Sequence, residues 1–382
     1  MAQKFAEGMR GGVPPWKEGE TIDLRVAHWC LFAPHASGMY ETVRELVTAE
    51  NQIEGVLAGM CETPGPGAGK SAMERAAEGG RVDPMHPDFR TQDWGWGLKY
   101  PDIHVVHTTL FDRIGELEPK VFFSHGTPEA CLENDLMPNL KSDSYGPGIR
   151  YIERCDATIV TSKRQELLWS PYDHSGDKIH RVDKGIDLEW WRKTFVKQEL
   201  PGEPSVLYGE IWRGIKHPFH ILFAVNEIYK RNPKVKLNAW GCNIKKPFWQ
   251  KLFEESNFDN FLGPRGIKDI VDYPEHYYSR GDVLANPVIY GDVTRVGQEA
   301  LACGCPNVAW DTDPFGDTHA YATAKAFDIS DFAAKIEEIY EDLLDDGEAV
   351  HKKAREIAET HFDINVEAKQ VVEILRKTVG ET

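Results

Sequence analysis

Short apolar runs alternate with amphipathic, helix-like stretches along the first half of this chain. A proline- and glycine-rich arm precedes the first run, and the stretch at 40–50 has helical periodicity. Strands that alternate with helices favour a parallel sheet covered by helices. The pattern therefore predicts an α/β unit with strands at 24–31, 53–61, 103–108, 121–124 and 157–161.

The same alternation resumes after a stretch with two tryptophans, several charges and prolines. It predicts strands at 205–208, 236–240, 260–262, 283–285 and 307–310, then acidic helices at 331–344 and 348–377. A chain of 382 residues is long for one hydrophobic core, so two domains are expected. The predicted organisation is an arm (1–21), a first domain (22–190), a linker (191–204), a second domain (205–360) and a C-terminal segment (361–382).

The segment from Asn286 to Trp310 carries the most specific chemistry. It predicts a strand, a polar loop, a helix that opens near Gln298–Glu299, a stop at Gly304, and a second strand. In such a unit, an acidic residue in the first helical turn lies where parallel strands end and ligands bind. Glu299 is therefore a candidate acceptor for the hydroxyls of a sugar. The alternative is an amphipathic helix that glycine and proline end, without a ligand.

This segment resembles the signature of glycosyltransferase family 4, whose members have the GT-B fold. The residues in register with that signature are Pro287, Glu299, Ala300, Ala302, Gly304 and Pro306. The first glutamate of the signature is missing, because Gly291 stands at its position beside Asp292. The resemblance covers about residues 22–378. It implies two Rossmann-like domains that face each other across a cleft, with a C-terminal helix that crosses back to the N-terminal domain.

The resemblance also implies an activity, that of a retaining, metal-independent hexosyl- or pentosyltransferase. The donor would be a UDP- or GDP-linked sugar bound by the C-terminal domain, and the N-terminal domain would bind the acceptor. Closure of the cleft would exclude water. The family needs no metal ion and no tightly bound cofactor, and nothing in the residues identifies the acceptor.

The segment from Pro204 to Pro218 resembles the family's diphosphate-binding stretch, in which arginine and lysine hold the donor phosphates. Positioned cations stabilise the negative charge that develops on the leaving group. Here Glu210 stands at the usual arginine position, and Lys216 lies one residue late. Arg213 is therefore expected to replace the arginine. The alternative is two solvated cations in a surface turn.

A histidine also ends an apolar strand in the predicted N-terminal domain. His125 follows Val121–Ser124, and the resemblance implies that it contacts the transferred sugar; His35, His104 and His107 are weaker candidates. The insertion at 62–99 is expected to face the acceptor through Trp94 and Trp96. The remaining predicted donor-binding residues are Gly38, Gly209, Gly263, Pro264, Arg265, Asp292, Val293, Thr294 and Arg295.

Charge and cysteine content narrow the set of partners. The net charge of −17 is shared about evenly between the two halves, which disfavours nucleic acid and anionic membranes, although a local basic groove is compatible with it. Seven scattered cysteines suggest reduced thiols, and none of their spacings is typical of zinc. No apolar run reaches the ~18 residues of a membrane span, and the N-terminus has no signal-peptide core, so a soluble intracellular protein is expected.

Three alternatives remain beside the main hypothesis. A phage-type glycosyltransferase of this fold would modify a hydroxymethylated DNA base. A nucleotide-sugar epimerase or a phosphorylase would share the fold and use no added acceptor. A non-catalytic GT-B scaffold or nucleotide sensor would account for the missing signature glutamate and for Glu210.

Overall fold

The computed structural model describes most of the chain. Its described residues are 17, 19–30, 38–62, 101–107, 118–128, 149–194, 199–212, 216–241, 251–253, 255–263, 274–289, 294–312, 316 and 318–380. The chain divides into two compact units. Unit 1 comprises residues 1–185 and 364–382, and unit 2 comprises residues 186–363.

A six-stranded parallel sheet forms the centre of unit 1. Its order is β2-β1-β3-β4-β5-β6. The inner strands are short and apolar because helices cover a parallel sheet on both faces. The strands are β1 (Leu24–Cys30), β2 (Val56–Glu62), β3 (Ile103–Val106), β4 (Lys120–Phe123), β5 (Ala157–Val160) and β6 (Ile179–Arg181).

The helices of unit 1 complete its core, and one of them comes from the far end of the chain. Helix α1 (Gly38–Glu50) follows β1 and buries Tyr40 and Leu46 against the sheet. The C-terminal helix, α8 (Ile364–Val379), packs against α1 and buries Val371 and Leu375 in the same core. Two shorter helices are α2 (Ile149–Arg154) and α3 (Lys163–Trp169).

Unit 2 has a second parallel sheet, of five strands in the order β11-β10-β9-β7-β8. These strands are β7 (Ser205–Ile211), β8 (Lys236–Gly241), β9 (Val283–Asn286), β10 (Asn307–Asp311) and β11 (Ala322–Lys325). Its helices are α4 (Pro218–Arg231), α5 (Pro274–Tyr278), α6 (Arg295–Ala302) and α7 (Ile329–His361). Two parallel α/β sheets were expected from the alternating pattern, and this prediction is confirmed.

Several predicted elements differ from those observed. The segment 260–262 is not a strand, because a 3₁₀ turn (Asn257–Asn260) ends at its first residue and Leu262 makes only an isolated bridge to Leu237. The predicted helix 348–377 is interrupted, because α7 ends at His361 and α8 begins at Ile364. The predicted break near 345–347 exists within α7, where Asp346 leaves helical geometry (φ −146°, ψ 77°).

Candidate functional site

Helix α6 sets the position of Glu299, and it begins earlier than expected. Thr294 is the N-cap, and its Oγ1 accepts a hydrogen bond from the Gly297 amide at 3.2 Å. The helix therefore starts at Arg295, and the predicted opening near Gln298–Glu299 is wrong. Because the Thr294 side chain caps the free amides at this point, the helix begins three residues before the predicted start at Gln298. Glu299 therefore lies about one turn inside the helix.

The carboxylate of Glu299 is held inside unit 2 by two donors. The Tyr278 hydroxyl donates to Oε2 at 2.8 Å, and Arg295 Nε donates to Oε1 at 2.7 Å. Glu299 is only 8% exposed, and so is Arg295. Burial and the neighbouring Glu299 charge raise the pKa of Tyr278 well above its usual value, so the phenol stays a donor. Glu299 is thus a rigidly positioned carboxylate.

The other residues predicted to face the sugar have structural contacts of their own. Besides capping α6, Thr294 accepts a hydrogen bond from Asn286 Nδ2. The guanidinium carbon of Arg295 lies 5.7 Å from the centre of the Trp191 ring, a cation–π distance. Asp292 and Val293 lie outside the described residues.

The predicted phosphate-binding lysine is part of an ion pair. Lys216 Nζ lies 2.9 Å from Glu210 Oε1, and their side chains are 21% and 10% exposed. The Lys216 carbonyl accepts a hydrogen bond from the Tyr208 hydroxyl at 2.8 Å. Lys216 is therefore positioned on both its backbone and its side chain, with its charge balanced by Glu210. Arg213, its predicted partner, lies outside the described residues.

Two of the predicted glycines allow close packing in unit 2. A Cβ on Gly209 would lie 2.7 Å from Val296 Cγ1 and 3.1 Å from the Tyr278 hydroxyl, so glycine lets α5 and α6 approach β7. Gly263 donates its amide to the Leu237 carbonyl at 2.8 Å and would clash with Asn238 if it had a side chain. Pro264 and Arg265 are outside the described residues, as are Trp94 and Trp96.

In unit 1, Gly38 is the first residue of α1, and His125 ends a line of hydrogen-bonded side chains. His125 Nε2 lies 2.8 Å from His107 Nδ1, and His107 Nε2 lies 2.9 Å from His28 Nδ1. The line finishes at Glu50, whose Oε2 lies 2.8 Å from His28 Nε2. His28 and Glu50 are fully buried, His107 is 2% exposed, and His125 is partly exposed.

The sequence pattern pointed to His125 and, more weakly, to His107, but it did not point to His28 and Glu50. Strand alternation carries the missing signal. His28 pairs in register with Val105, two residues before His107, so both side chains belong to one face of the sheet. His125 likewise follows Phe123 by two residues, and the Phe123 ring stacks on it with centroids 5.2 Å apart.

Burial lowers the pKa of two histidines in unit 1, His107 and His104. Burial, together with His125 and His28, lowers the pKa of His107 well below its usual value. Nearby on β3, burial and the Lys120 charge lower the pKa of His104 to about 4. His104 is not part of the line, since its Nδ1 accepts a hydrogen bond from Trp29 Nε1 at 3.1 Å.

Neither metal ligands nor a membrane-spanning helix were found among the described residues. No group of three or more His, Cys, Asp or Glu side chains is arranged there to hold a metal ion. In the same part of the chain, every helix is too short or too polar to cross a bilayer. Four described cysteines, Cys30, Cys155, Cys303 and Cys305, are buried and do not form disulfide bonds.

Comparison with known proteins places the fold. Neither a family model nor a curated protein matches this sequence. Among solved structures, sucrose-phosphate synthase from Thermosynechococcus elongatus is 15% identical with a TM-score of 0.66, over 94% of this chain and 100% of that one. A glycosyltransferase from Rickettsia africae is 13% identical with a TM-score of 0.61, over 94% and 99%.

Anabaena HepE, solved in complex with UDP-glucose, is a third similar structure. It is 14% identical with a TM-score of 0.62, and the match covers 93% of this chain and 100% of HepE. These matches span nearly all of both chains in each comparison. They confirm the GT-B fold that the sequence predicted.

Proposed function

We propose that this protein is a glycosyltransferase that transfers a sugar from a UDP-linked donor to an acceptor hydroxyl, with retention of configuration and without a metal ion. The supporting observation is that a fold shared with glycosyltransferases over nearly the whole chain coincides with a buried glutamate, held by hydrogen bonds from Arg295 and Tyr278, at the signature position. UDP is preferred over GDP as the carrier because the similar HepE binds UDP-glucose.

Glu299 is the proposed ribose-binding residue. A carboxylate can accept about four hydrogen bonds, and Tyr278 and Arg295 are among the donors to this one. Those donors hold the carboxylate in one orientation, so little side-chain entropy is lost when a diol binds. Hydrogen bonds from hydroxyl groups to an ionised carboxylate are stronger than those to a neutral oxygen.

Lys216 and Arg213 are the proposed ligands of the diphosphate. A lysine binds phosphate as a compact charge, and Glu210 holds this one in a defined place at the end of β7. The interaction with phosphate is worth most when the glycosidic bond breaks and negative charge accumulates on the leaving group. This requires the diphosphate to compete with Glu210 for the ammonium group.

The remaining site residues complete the hypothesis. His125 would contact the transferred sugar, and Trp94 and Trp96 would contact the acceptor. Gly38 and Gly209 would allow the chain to approach the donor closely, and Gly263, Pro264 and Arg265 would contact the base. Asp292, Val293, Thr294 and Arg295 would border the sugar.

The Glu210–Lys216 ion pair favours a second candidate, a non-catalytic nucleotide sensor. If Glu210 keeps the lysine neutralised, the site binds the nucleotide sugar without stabilising the charge of bond cleavage. A sensor and an enzyme therefore differ in turnover and not in donor binding.

A panel of nucleotide sugars tests the proposed function in two steps. A donor at about a hundred times its Kd should stabilise the folded protein by roughly 2.7 kcal/mol, visible as a rise in melting temperature with one UDP-sugar. Product analysis then follows with alcohols, glycolipids, peptides, and DNA containing hydroxymethylated bases as acceptors, with EDTA present. Transfer in EDTA supports the proposal, whereas stabilisation without turnover on any acceptor supports the sensor.

Two further outcomes would replace the proposal. A new nucleotide sugar formed without an acceptor would indicate an epimerase. Activity that EDTA abolishes and manganese restores would contradict the metal-independent mechanism. If no nucleotide sugar stabilises the protein, both the transferase and the sensor are wrong.

A further inference from the structure

We infer that Glu50, His28 and His107 form a buried proton relay that fixes the tautomer of His125 and stores the proton that His125 accepts. The identity of the substrate at His125 rests on the proposed function, whereas the relay itself does not depend on it. Its basis is the unbroken line of contacts Glu50–His28–His107–His125, in which each link measures 2.8 or 2.9 Å.

The carboxylate determines the direction of every hydrogen bond in the line. In the relay that we infer, Glu50 is the acceptor at the end of the line, because an ionised carboxylate can only accept, and His28 Nε2 donates to it. A neutral imidazole carries one proton, so His28 Nδ1 must accept, and His107 Nε2 donates to it. By the same argument His125 Nε2 donates to His107 Nδ1. The neutral relay therefore leaves Nδ1 of His125 unprotonated, which is the form of a base.

The same line can carry a proton inward without moving any heavy atom. When His125 Nδ1 takes a proton, His125 Nε2 passes its own proton to His107 Nδ1. His107 Nε2 then passes its proton to His28 Nδ1. The relay ends with the positive charge on His28, whose Nε2 proton faces the Glu50 carboxylate at 2.8 Å. Every imidazole has then reversed its tautomer or gained one proton, and the number of protons balances.

The surroundings favour this endpoint over a charge on the middle histidine. His107 is 2% exposed and contacts the imidazoles of His28 and His125. Its ring also stacks on that of Phe123, with the two centroids 4.9 Å apart. Its lowered pKa agrees with a residue that transmits a proton and does not keep it. Glu50 is fully buried, and a buried carboxylate stabilises a cation beside it far more than solvent-exposed charge would.

In the proposed transferase the relay would take up the proton of the acceptor. The acceptor oxygen forms its bond to the anomeric carbon of the sugar on the face that the diphosphate leaves, so configuration is retained, while its proton moves to His125 Nδ1. The bond between that carbon and the diphosphate oxygen breaks, and its electron pair leaves with the diphosphate. The proton later returns along the same line and departs with product or solvent. Glu50, His28 and His107 are positioning residues in this scheme, since only His125 meets the substrate.

The relay has a test that does not depend on sugar transfer. The full chain, labelled with ¹⁵N-histidine, gives ring-nitrogen shifts that distinguish protonated from unprotonated nitrogens. At neutral pH we expect protonated Nε2 and unprotonated Nδ1 on His28, His107 and His125. A neutral His125 protonated at Nδ1 would overturn the inference in the wild-type spectrum alone, even if every variant failed to fold.

The variant Glu50→Gln tests the role of the carboxylate. Glutamine has nearly the same shape, but its amide can donate or accept, so the fixed tautomers should become mixtures. The matched control is Glu45→Gln, which removes another buried carboxylate of α1 that lies 3.7 Å from Arg44 and outside the relay. The His104 resonance is a second control, because its Nδ1 accepts from Trp29. Unchanged tautomers in Glu50→Gln would refute the relay.

Turnover completes the experiment. A positioned general base contributes about 10² to 10⁴ in rate, and Glu50→Gln leaves the imidazole in place, so we expect transfer to fall at least about tenfold with UDP affinity unchanged. Glu45→Gln should transfer at the wild-type rate. If the tautomers behave as expected but no sugar is ever transferred, the proposed function fails and the relay stands. If transfer occurs and Glu50→Gln alters neither tautomers nor rate, the relay fails alone.

Discussion

Removing the Glu299 carboxylate should destabilise unit 2 as well as weaken donor binding. Glu299→Ala leaves the Arg295 guanidinium, 8% exposed, and the buried Tyr278 hydroxyl without the acceptor that they share. Breaking a buried ion pair by deleting one partner costs about 3 to 5 kcal/mol. For a unit of this size about 1 kcal/mol lowers Tm by 2–4 °C, so we expect a decrease on the order of 10 °C.

The effect on the donor is separable from the effect on stability. If Glu299 binds the ribose, the variant also loses a hydrogen bond to a charged group, worth about 1.5 to 3 kcal/mol, or roughly a tenfold to hundredfold rise in Kd. Isothermal titration with UDP, at a temperature well below the melting transition, measures the change in Kd. Scanning calorimetry of the ligand-free protein measures the change in stability.

Tyr278→Phe is the matched control for this experiment. It deletes the 2.8 Å hydrogen bond and keeps the carboxylate, so it should lower stability by about 1.5 to 3 kcal/mol and weaken UDP binding much less than Glu299→Ala does. A Glu299→Ala protein that melts within a degree of wild type would refute the energetic argument. A destabilised Glu299→Ala protein with wild-type UDP affinity would remove Glu299 from the donor site.

Two other predictions follow from charges in the structure. Glu210→Gln should release Lys216 for phosphate and tighten UDP binding. Lys216→Ala should weaken UDP binding and lower turnover by a larger factor. Equal UDP affinity in both variants, measured by calorimetry, would show that the ion pair is not at the phosphate site. His104 has a folded pKa of about 4, below the usual 6.5, so its contribution to stability is complete above pH 6.5 and decreases as pH falls toward 4. The total loss is about 3 kcal/mol. The free energies of unfolding of wild type and His104→Gln, measured by urea titration, should therefore converge over that pH range.

The sequence predicted the central strands because burial on both faces requires apolar runs, as in Val121–Phe123. It missed the edge strand β6 (Ile179–Arg181), whose side chains are partly or largely exposed and carry no apolar run. The break between α7 and α8 also has no glycine or proline. It is set by tertiary contacts, since the Phe362 carbonyl accepts from the Ile186 amide at 2.9 Å.

In the candidate site, too, the sequence predicted single residues but not the contacts between them. The signature placed Glu299 in α6 of unit 2, but its local pattern did not contain Tyr278, which is 21 residues away and contributed by another helix. Lys216 was found from a short motif, while its pairing with Glu210 depends on how the chain turns after β7. Contacts between distant residues, such as Glu50 with His28, require the register of the sheet and the position of α1.

The interrupted course of the chain through unit 1 has a consequence for biosynthesis. Helix α8 supplies Val371 and Leu375 to the core of unit 1, and Glu367 Oε2 accepts from the Gly185 amide at 2.7 Å. On a ribosome, where domains generally fold in order of synthesis, these residues emerge only after all of unit 2 has been made. Unit 1 is thus the first to be synthesised and the last to complete its core. Until α8 has been made, the apolar surface that Val371 and Leu375 cover has no partner from that helix.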